Sequence, residues 1–332
     1  MTVAAVPKAE LHVHLEGTAR PELIRRLAAR NAMTLPEGLL ADEETFAWRD
    51  FLDFLATYDL AASVIRTAQD YRDVTYEYLR DCAAEGAVYV ELISSPDHAA
   101  AVGLTEAEHR AGIFQGIDDA REARGIEARV LVSIVRNFGV EAAERVAAEA
   151  AAMPHPYVVG FNMAGDEAGF PAADFTRAFA IAADAGLGCT CHAGEHAGPE
   201  SVRAALALPG VTRLSHGVRA AEDPALVAEL ADRGIVLEVC PTSNVALGVY
   251  PGYAEHPFAT LRAAGVALTL GSDDPPYFDA TIGGEYAVAA EHFGLDPGAL
   301  LELTRTAIRA SFAAPGLRDA LLARTHDLRP RE

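Results

Sequence analysis

Cysteine is scarce in this chain: four among 332 residues (Cys82, Cys189, Cys191, Cys240), too few and too scattered for a disulfide framework. Cys189 and Cys191 alternate inside an apolar run, which reads as two small buried hydrophobes on one face of a strand. Positive charge is scarce as well. Lys and Arg number 27 against 48 Asp and Glu, a formal net charge of -21. Such a surface repels nucleic-acid backbones and anionic membranes, which are bound through clustered Lys and Arg, and a neutral or cationic small molecule is the expected partner. No run approaches the roughly 18 apolar residues of a membrane-spanning helix. The opening Met1-Thr2-Val3-Ala4-Ala5-Val6-Pro7 lacks the basic stretch and apolar core of a secretory signal, so the expected location is the cytoplasm. Linkers rich in Gly and Ser, low-complexity tracts and long-period repeats are missing too, which argues against a second domain.

What the chain does contain is a rhythm. Apolar runs rich in Val, Ile and Leu recur between segments of helical periodicity, the pattern of βα units around a parallel sheet. Eight are present: Ala9 to Leu15, Val88 to Ser94, Ala128 to Val135, Val158 to Met163, Leu187 to His192, Arg213 to His216, Val236 to Cys240 and Ala267 to Gly271. Helices are expected at Glu141 to Ala152, Pro171 to Ala185, Pro199 to Ala207 and Pro224 to Asp232, several opened by Pro or Asp. The prediction is a (β/α)8 TIM barrel spanning residues 1–332 as one domain, since such barrels need about 250 residues plus insertions. More than seventy residues separate the first two runs, so a helical insertion is expected at about 18–85. Within it Phe46, Trp48, Phe51, Phe54, Leu55 and Tyr58 fall largely on one helical face. That face either packs on the barrel or forms a lid over a substrate. The tail after Ala323 is expected to fray.

The chemistry-bearing residues sit at strand ends. His12-Val13-His14 places two imidazoles on one face of the first strand by period-two alternation. The fifth run ends in His192-Ala193-Gly194-Glu195, the sixth in Ser215-His216-Gly217 and the eighth in Gly271-Ser272-Asp273-Asp274. In a parallel barrel these ends converge on one rim. Each alone reads as an ordinary satisfied His, surface Glu or helix-capping Asp. Three His, two Asp and one Glu at the same end of their strands read instead as a site. Imidazoles with a carboxylate form a nitrogen and oxygen donor set that suits Zn2+.

These residues resemble the adenosine deaminase family of the amidohydrolase superfamily. Pro7-Lys8-Ala9-Glu10-Leu11-His12-Val13-His14-Leu15-Glu16-Gly17 resembles its opening strand and Ala164-Gly165-Asp166-Glu167 its fourth-strand motif. His192 to Glu195, Ser215 to Gly217, Cys240-Pro241-Thr242-Ser243-Asn244 and Ser272-Asp273-Asp274-Pro275 follow in the family's order. The resemblance implies one zinc ion per chain held by His12, His14, His192 and Asp273. It implies that Glu195, as a protonated acid, donates to purine N1 and that His216 orients the attacking water and takes its proton. Asp274 would meet N7, the backbone N–H of Gly165 would meet N3, and His14 and Glu16 would also face the substrate. The expected reaction is hydrolytic deamination of a 6-aminopurine, with adenosine or 2'-deoxyadenosine as the main reading. Adenine, an N6-substituted adenine or aminodeoxyfutalosine is the alternative. Glu16 stands where mammalian-type members carry an Asp that meets the sugar, and Pro275-Pro276-Tyr277-Phe278 resembles adenine-type and aminodeoxyfutalosine-type members. A metal-dependent phosphoesterase or an inactive purine-binding protein are the readings from other classes. The first would need more ligands and cationic groups for phosphate, and the second is disfavoured by the intact Glu195 and His216.

Overall fold

The apolar runs form eight strands that pair in sequence order, all parallel. They are β1 (Lys8–His14), β2 (Ala87–Ser94), β3 (Glu127–Val135), β4 (Val158–Ala164), β5 (Gly188–Ala193), β6 (Val211–His216), β7 (Val236–Val239) and β8 (Ala267–Leu270). This computed structural model describes residues 2–325. Helices follow the strands, and the ends of all eight strands lie within two residues of the expected runs. The last helix, Pro315–Arg324, is still regular at residue 324, and the rest of the tail expected to fray lies outside the described residues. No helix among the described residues is long and apolar enough to cross a membrane.

The seam between first and last strands closes the barrel. Val13 bridges to Asp273, with the His14 N–H donating to the Asp273 carbonyl (2.9 Å) and the Asp273 N–H donating to that of His12 (3.2 Å). The barrel floor is polar and sealed. Buried Arg213 lies between Glu91 (2.6 Å) and Glu238 (2.7 Å) with its guanidinium 3.6 Å from the Phe312 ring centre. Phe312 also fills the space of two missing side chains, because a Cβ on Gly188 or Gly160 would come within 2.1 Å or 2.7 Å of its ring. One expected helix begins differently. Ala172–Phe175 is a 3-10 turn ahead of Thr176–Asp184, and three residues per turn send both Ala172 and Phe175 into the core.

The long connection after β1 contains α1 (Pro21–Arg30), α2 (Phe51–Ala62) and α3 (Ala68–Ala84). Asp50 caps α2 by accepting from the Asp53 N–H (3.0 Å), and Thr67 with Asp70 forms a capping box on α3. Aromatic stacking fastens the approach to α2 onto the segment after β8. Phe46 lies on Tyr277 at 4.2 Å, and Trp48 and Phe54 meet the Phe278 ring. Phe51, Leu55 and Tyr58 instead line a cleft at the C-terminal rim of the barrel. Part of the apolar face therefore packs on the segment after β8, and part of it lines the cleft.

Candidate active site

Period-two alternation on β1 and the adjoining seam bring His12, His14 and Asp273 together, and β5 delivers His192 from across the barrel. The Nε2 atom of His192 lies 3.1 Å from both His12 Nε2 and His14 Nε2. Asp273 Oδ1 lies 3.3 Å and 3.4 Å from the same two β1 nitrogens. Two of these rings have their other nitrogen committed: His12 Nδ1 donates to the Glu238 carbonyl (3.1 Å) and His192 Nδ1 to that of Met163 (3.0 Å). Their Nε2 atoms therefore present lone pairs to each other, an arrangement that repels unless a cation lies between. Tetrahedral coordination at about 2.0–2.1 Å separates donor atoms by about 3.3 Å, close to the spacing seen. The four residues fit a metal ion.

Around this cluster stand the acids. Glu195 and Asp274 are buried. Burial, the Asp273 carboxylate and Glu167 hold Glu195 well above the usual carboxylate range, and burial with Asp273 does the same to Asp274. Asp274 Oδ1 is buried without a hydrogen-bond partner. The space beside it exists because position 17 is glycine, where a Cβ would fall 1.7 Å from that oxygen. His216 Nε2 lies 3.6 Å from Glu195 Oε1 and 3.7 Å from Asp273 Oδ2. Four non-glycine residues among those described have left-handed backbone, and His216 and Asp273, both at φ 62, are two of them. Strain of this kind costs on the order of 1–3 kcal/mol per residue and persists where the surroundings over-determine it. The cleft is lined by these residues together with His14, Glu16 and Gly165. His12, His14, Glu16, Gly165, His192, Glu195, His216, Asp273 and Asp274 thus meet in one place.

Several supporting residues were not legible as such. Glu167 is buried and its carboxylate accepts four backbone N–H groups: that of Gly194 on Oε1 and those of Glu195 (3.1 Å), His196 (3.0 Å) and Ala197 (3.0 Å) on Oε2. This nest fixes the turn that carries Glu195. The signal was present in the Ala164-to-Glu167 motif, but it marks a partner of the next strand end rather than a ligand. Arg136, fully buried, donates to the carbonyls of Phe170 (3.0 Å) and His192. Ser243 donates to Asp273 Oδ2 (2.6 Å) from the Cys240-to-Asn244 motif. Nothing in the sequence pointed to Arg136.

Residues 7–327 match the family model described as adenosine deaminase. The chain belongs to the adenosine deaminase family. It is accordingly a hydrolytic deaminase on the amidohydrolase type of barrel. The adenine deaminase of Chelativorans sp. (strain BNC1) is 50% identical over 318 residues, 96% of this chain and 97% of that protein. Among solved structures of this family type, the adenine deaminase of Arthrobacter aurescens shares 31% identity with a TM-score of 0.89, covering 97% of this chain and 98% of that one. An amidohydrolase from Burkhoderia ambifaria, solved with bound Zn, shares 26% identity with a TM-score of 0.86, over 98% of this chain and 90% of that one.

Proposed function

We propose that this protein hydrolyses adenine to hypoxanthine and ammonia, with one zinc ion held by His12, His14, His192 and Asp273. The observation that carries the chemistry is the set of imidazole Nε2 atoms facing one another at 3.1 Å beside Asp273 and two buried acids, Glu195 and Asp274, whose pKa burial and Asp273 raise. For the substrate, the 50% identity to a relative named adenine deaminase favours the free base over adenosine or 2'-deoxyadenosine, the main reading of the sequence. The surroundings of Glu16 support this. Its carboxylate accepts from Ser94 Oγ (2.7 Å), the Ser95 N–H (3.3 Å) and Tyr58 Oη (3.2 Å), so protein donors occupy the group that would meet a sugar hydroxyl.

Zinc, when bound, supplies a Lewis acid that makes a water oxygen nucleophilic near neutral pH. The chain's own residues do the rest. Addition of water at C6 breaks ring aromaticity and places charge on N1, where Glu195 would donate its proton. Asp274, also protonated, donates to N7, and the Gly165 N–H meets N3. His216 points Nε2 at the attacking oxygen. Of the two water protons one passes to N6, so that the C6–N6 bond breaks with ammonia as the leaving group, and the other restores the Glu195 acid. Helix α2 serves as the lid of the insertion at 18–85, within a single domain, its aromatic roof excluding bulk water.

The test is ammonia release by metal-loaded protein from adenine, adenosine, 2'-deoxyadenosine, N6-substituted adenines and aminodeoxyfutalosine. The expected result is a kcat/KM for adenine at least about tenfold above the others. Faster turnover of a nucleoside overturns the substrate assignment. No ammonia from any of them, or a metal content near about two ions per chain as in phosphoesterases, overturns the reaction.

A further inference from the structure

Behind His216, away from the cleft, three buried side chains form a hydrogen-bonded row that ends on a backbone group. The Phe258 N–H donates to His256 Nδ1 (3.2 Å), His256 Nε2 lies 3.1 Å from Asn244 Oδ1, and Asn244 Nδ2 lies 3.2 Å from His216 Nδ1. His216, Asn244 and His256 are all buried. A backbone N–H can only donate, so it sets the polarity of the whole row. His256 Nδ1 must accept. Burial lowers His256 to about 4, which leaves a neutral ring at pH 7 with its single proton on Nε2. That proton takes the carbonyl oxygen of Asn244, and the amide N–H of Asn244 is left to face His216. His216 Nδ1 therefore accepts, and its proton sits on Nε2, the nitrogen turned toward Glu195 and Asp273. Reversing the row would set the Phe258 N–H against an N–H of His256, at the cost of a buried donor without an acceptor.

We propose that Asn244 and His256 are positioning residues that lock His216 as the Nε2–H tautomer, so that it meets the attacking oxygen as a hydrogen-bond donor and not as a free base. The inference rests on the reading of this cleft as the deaminase site. It departs from the role in which His216 takes the proton of water: to accept at Nε2 the ring would need its proton on Nδ1, where Asn244 already presents an N–H. Donation from a pre-oriented N–H instead fixes the direction of the oxygen lone pair aimed at C6.

The experiment is 15N NMR of metal-loaded protein labelled at histidine, with the His216 signals assigned by their loss in His216→Gln. The expected spectrum shows protonated Nε2 and bare Nδ1 for both His216 and His256. Asn244→Asp presents acceptors to both rings and should move the His216 proton to Nδ1. Its metal content should stay at the wild-type level, while kcat falls about 10- to 100-fold with little change in KM. A wild-type His216 carrying its proton on Nδ1 overturns the proposal, whether or not Asn244→Asp folds. So does an Asn244→Asp protein whose His216 tautomer is unchanged. The spectrum is read without substrate, so inactivity on adenine with the expected tautomers would overturn the substrate assignment alone.

Discussion

Replacing Glu167 by Ala removes the anion on which four consecutive N–H groups, from Gly194 to Ala197, converge. Hydrogen bonds to a charged group contribute about 1.5–3 kcal/mol each, so four give an upper bound of about 6–12 kcal/mol. The bound overstates the loss, because the four share one carboxylate and water can reach His196 and Ala197, which are half-buried. A destabilisation of about 3–5 kcal/mol is expected, since the N–H groups of Gly194 and Glu195 are left buried without an acceptor at about 1–3 kcal/mol each. In a chain this long each kcal/mol lowers Tm by about 2 °C, so a fall of about 6–10 °C follows. The same loop carries Glu195 three residues after His192. A displacement of about 1 Å of an acid that must reach N1 costs on the order of 100-fold in kcat. Glu167→Gln should be damaging to a smaller extent, since even with its oxygen turned to the three donors of the Oε2 side its NH2 group confronts the Gly194 N–H. Thermal unfolding with steady-state kinetics on adenine provides the assay. An Ala variant that melts with the wild type and keeps its turnover within about twofold would refute the claim that this nest positions the acid.

Glu195→Gln should lower kcat by about 100- to 10,000-fold with metal content intact, the range for a lost proton donor; near-normal turnover would remove Glu195 as the acid. Because its folded pKa is raised by burial and by Asp273 and it acts protonated, activity should persist below that pKa and be lost as pH rises through it, which a kcat/KM profile on wild type measures. His12→Ala should purify with little zinc and without activity by metal analysis, and retention of a full equivalent would break the ligand assignment. Glu285, raised by burial to about 8 in the fold, holds its proton longer when folded than unfolded. Its contribution is full below the unfolded value of 4.5 and lost as pH rises toward 8, with a slope of about 1.4 kcal/mol per pH unit. Glu285→Gln should flatten that part of a denaturation-versus-pH curve, and an unchanged slope would disprove it.

The parts of this site that could be read from sequence are those where one residue supplies one atom at a strand end. His12 and His14 were legible because a two-residue spacing on a strand has a geometric consequence. His192, Glu195, His216 and Asp273 were legible because they directly follow apolar runs. The supporting groups act through backbone groups or through other side chains, and no spacing announces such a role. Arg136 reaches a carbonyl 56 residues away, and His256 acts through Asn244 on a histidine in another βα unit. The substrate was harder still. Glu16 stands where other members carry a sugar-facing Asp, which by itself left base and nucleoside both open, and its engagement by Ser94, Ser95 and Tyr58 depends on β2 and α2 folding against it.

Barrel closure and assembly of the metal ligands are one event at the β1/β8 seam, and this can be tested with every ligand left in place. Asp273 pairs through its backbone with His12 and His14 while its side chain faces their Nε2 atoms. Gly271 sits two residues before it, where a Cβ would meet the His12 carbonyl oxygen at 2.6 Å and His12 Cβ at 2.9 Å. Backbone and a buried strand cannot yield cheaply, so Gly271→Ala must push β8 from β1, an overpacking cost of about 1–3 kcal/mol. If closure builds the site, the same shift moves Asp273 from the histidines. Zinc affinity measured by competition with a chelator should then fall by at least about tenfold alongside Tm. A variant that loses stability but binds zinc as the wild type does would show that the ligands hold their places independently of the seam.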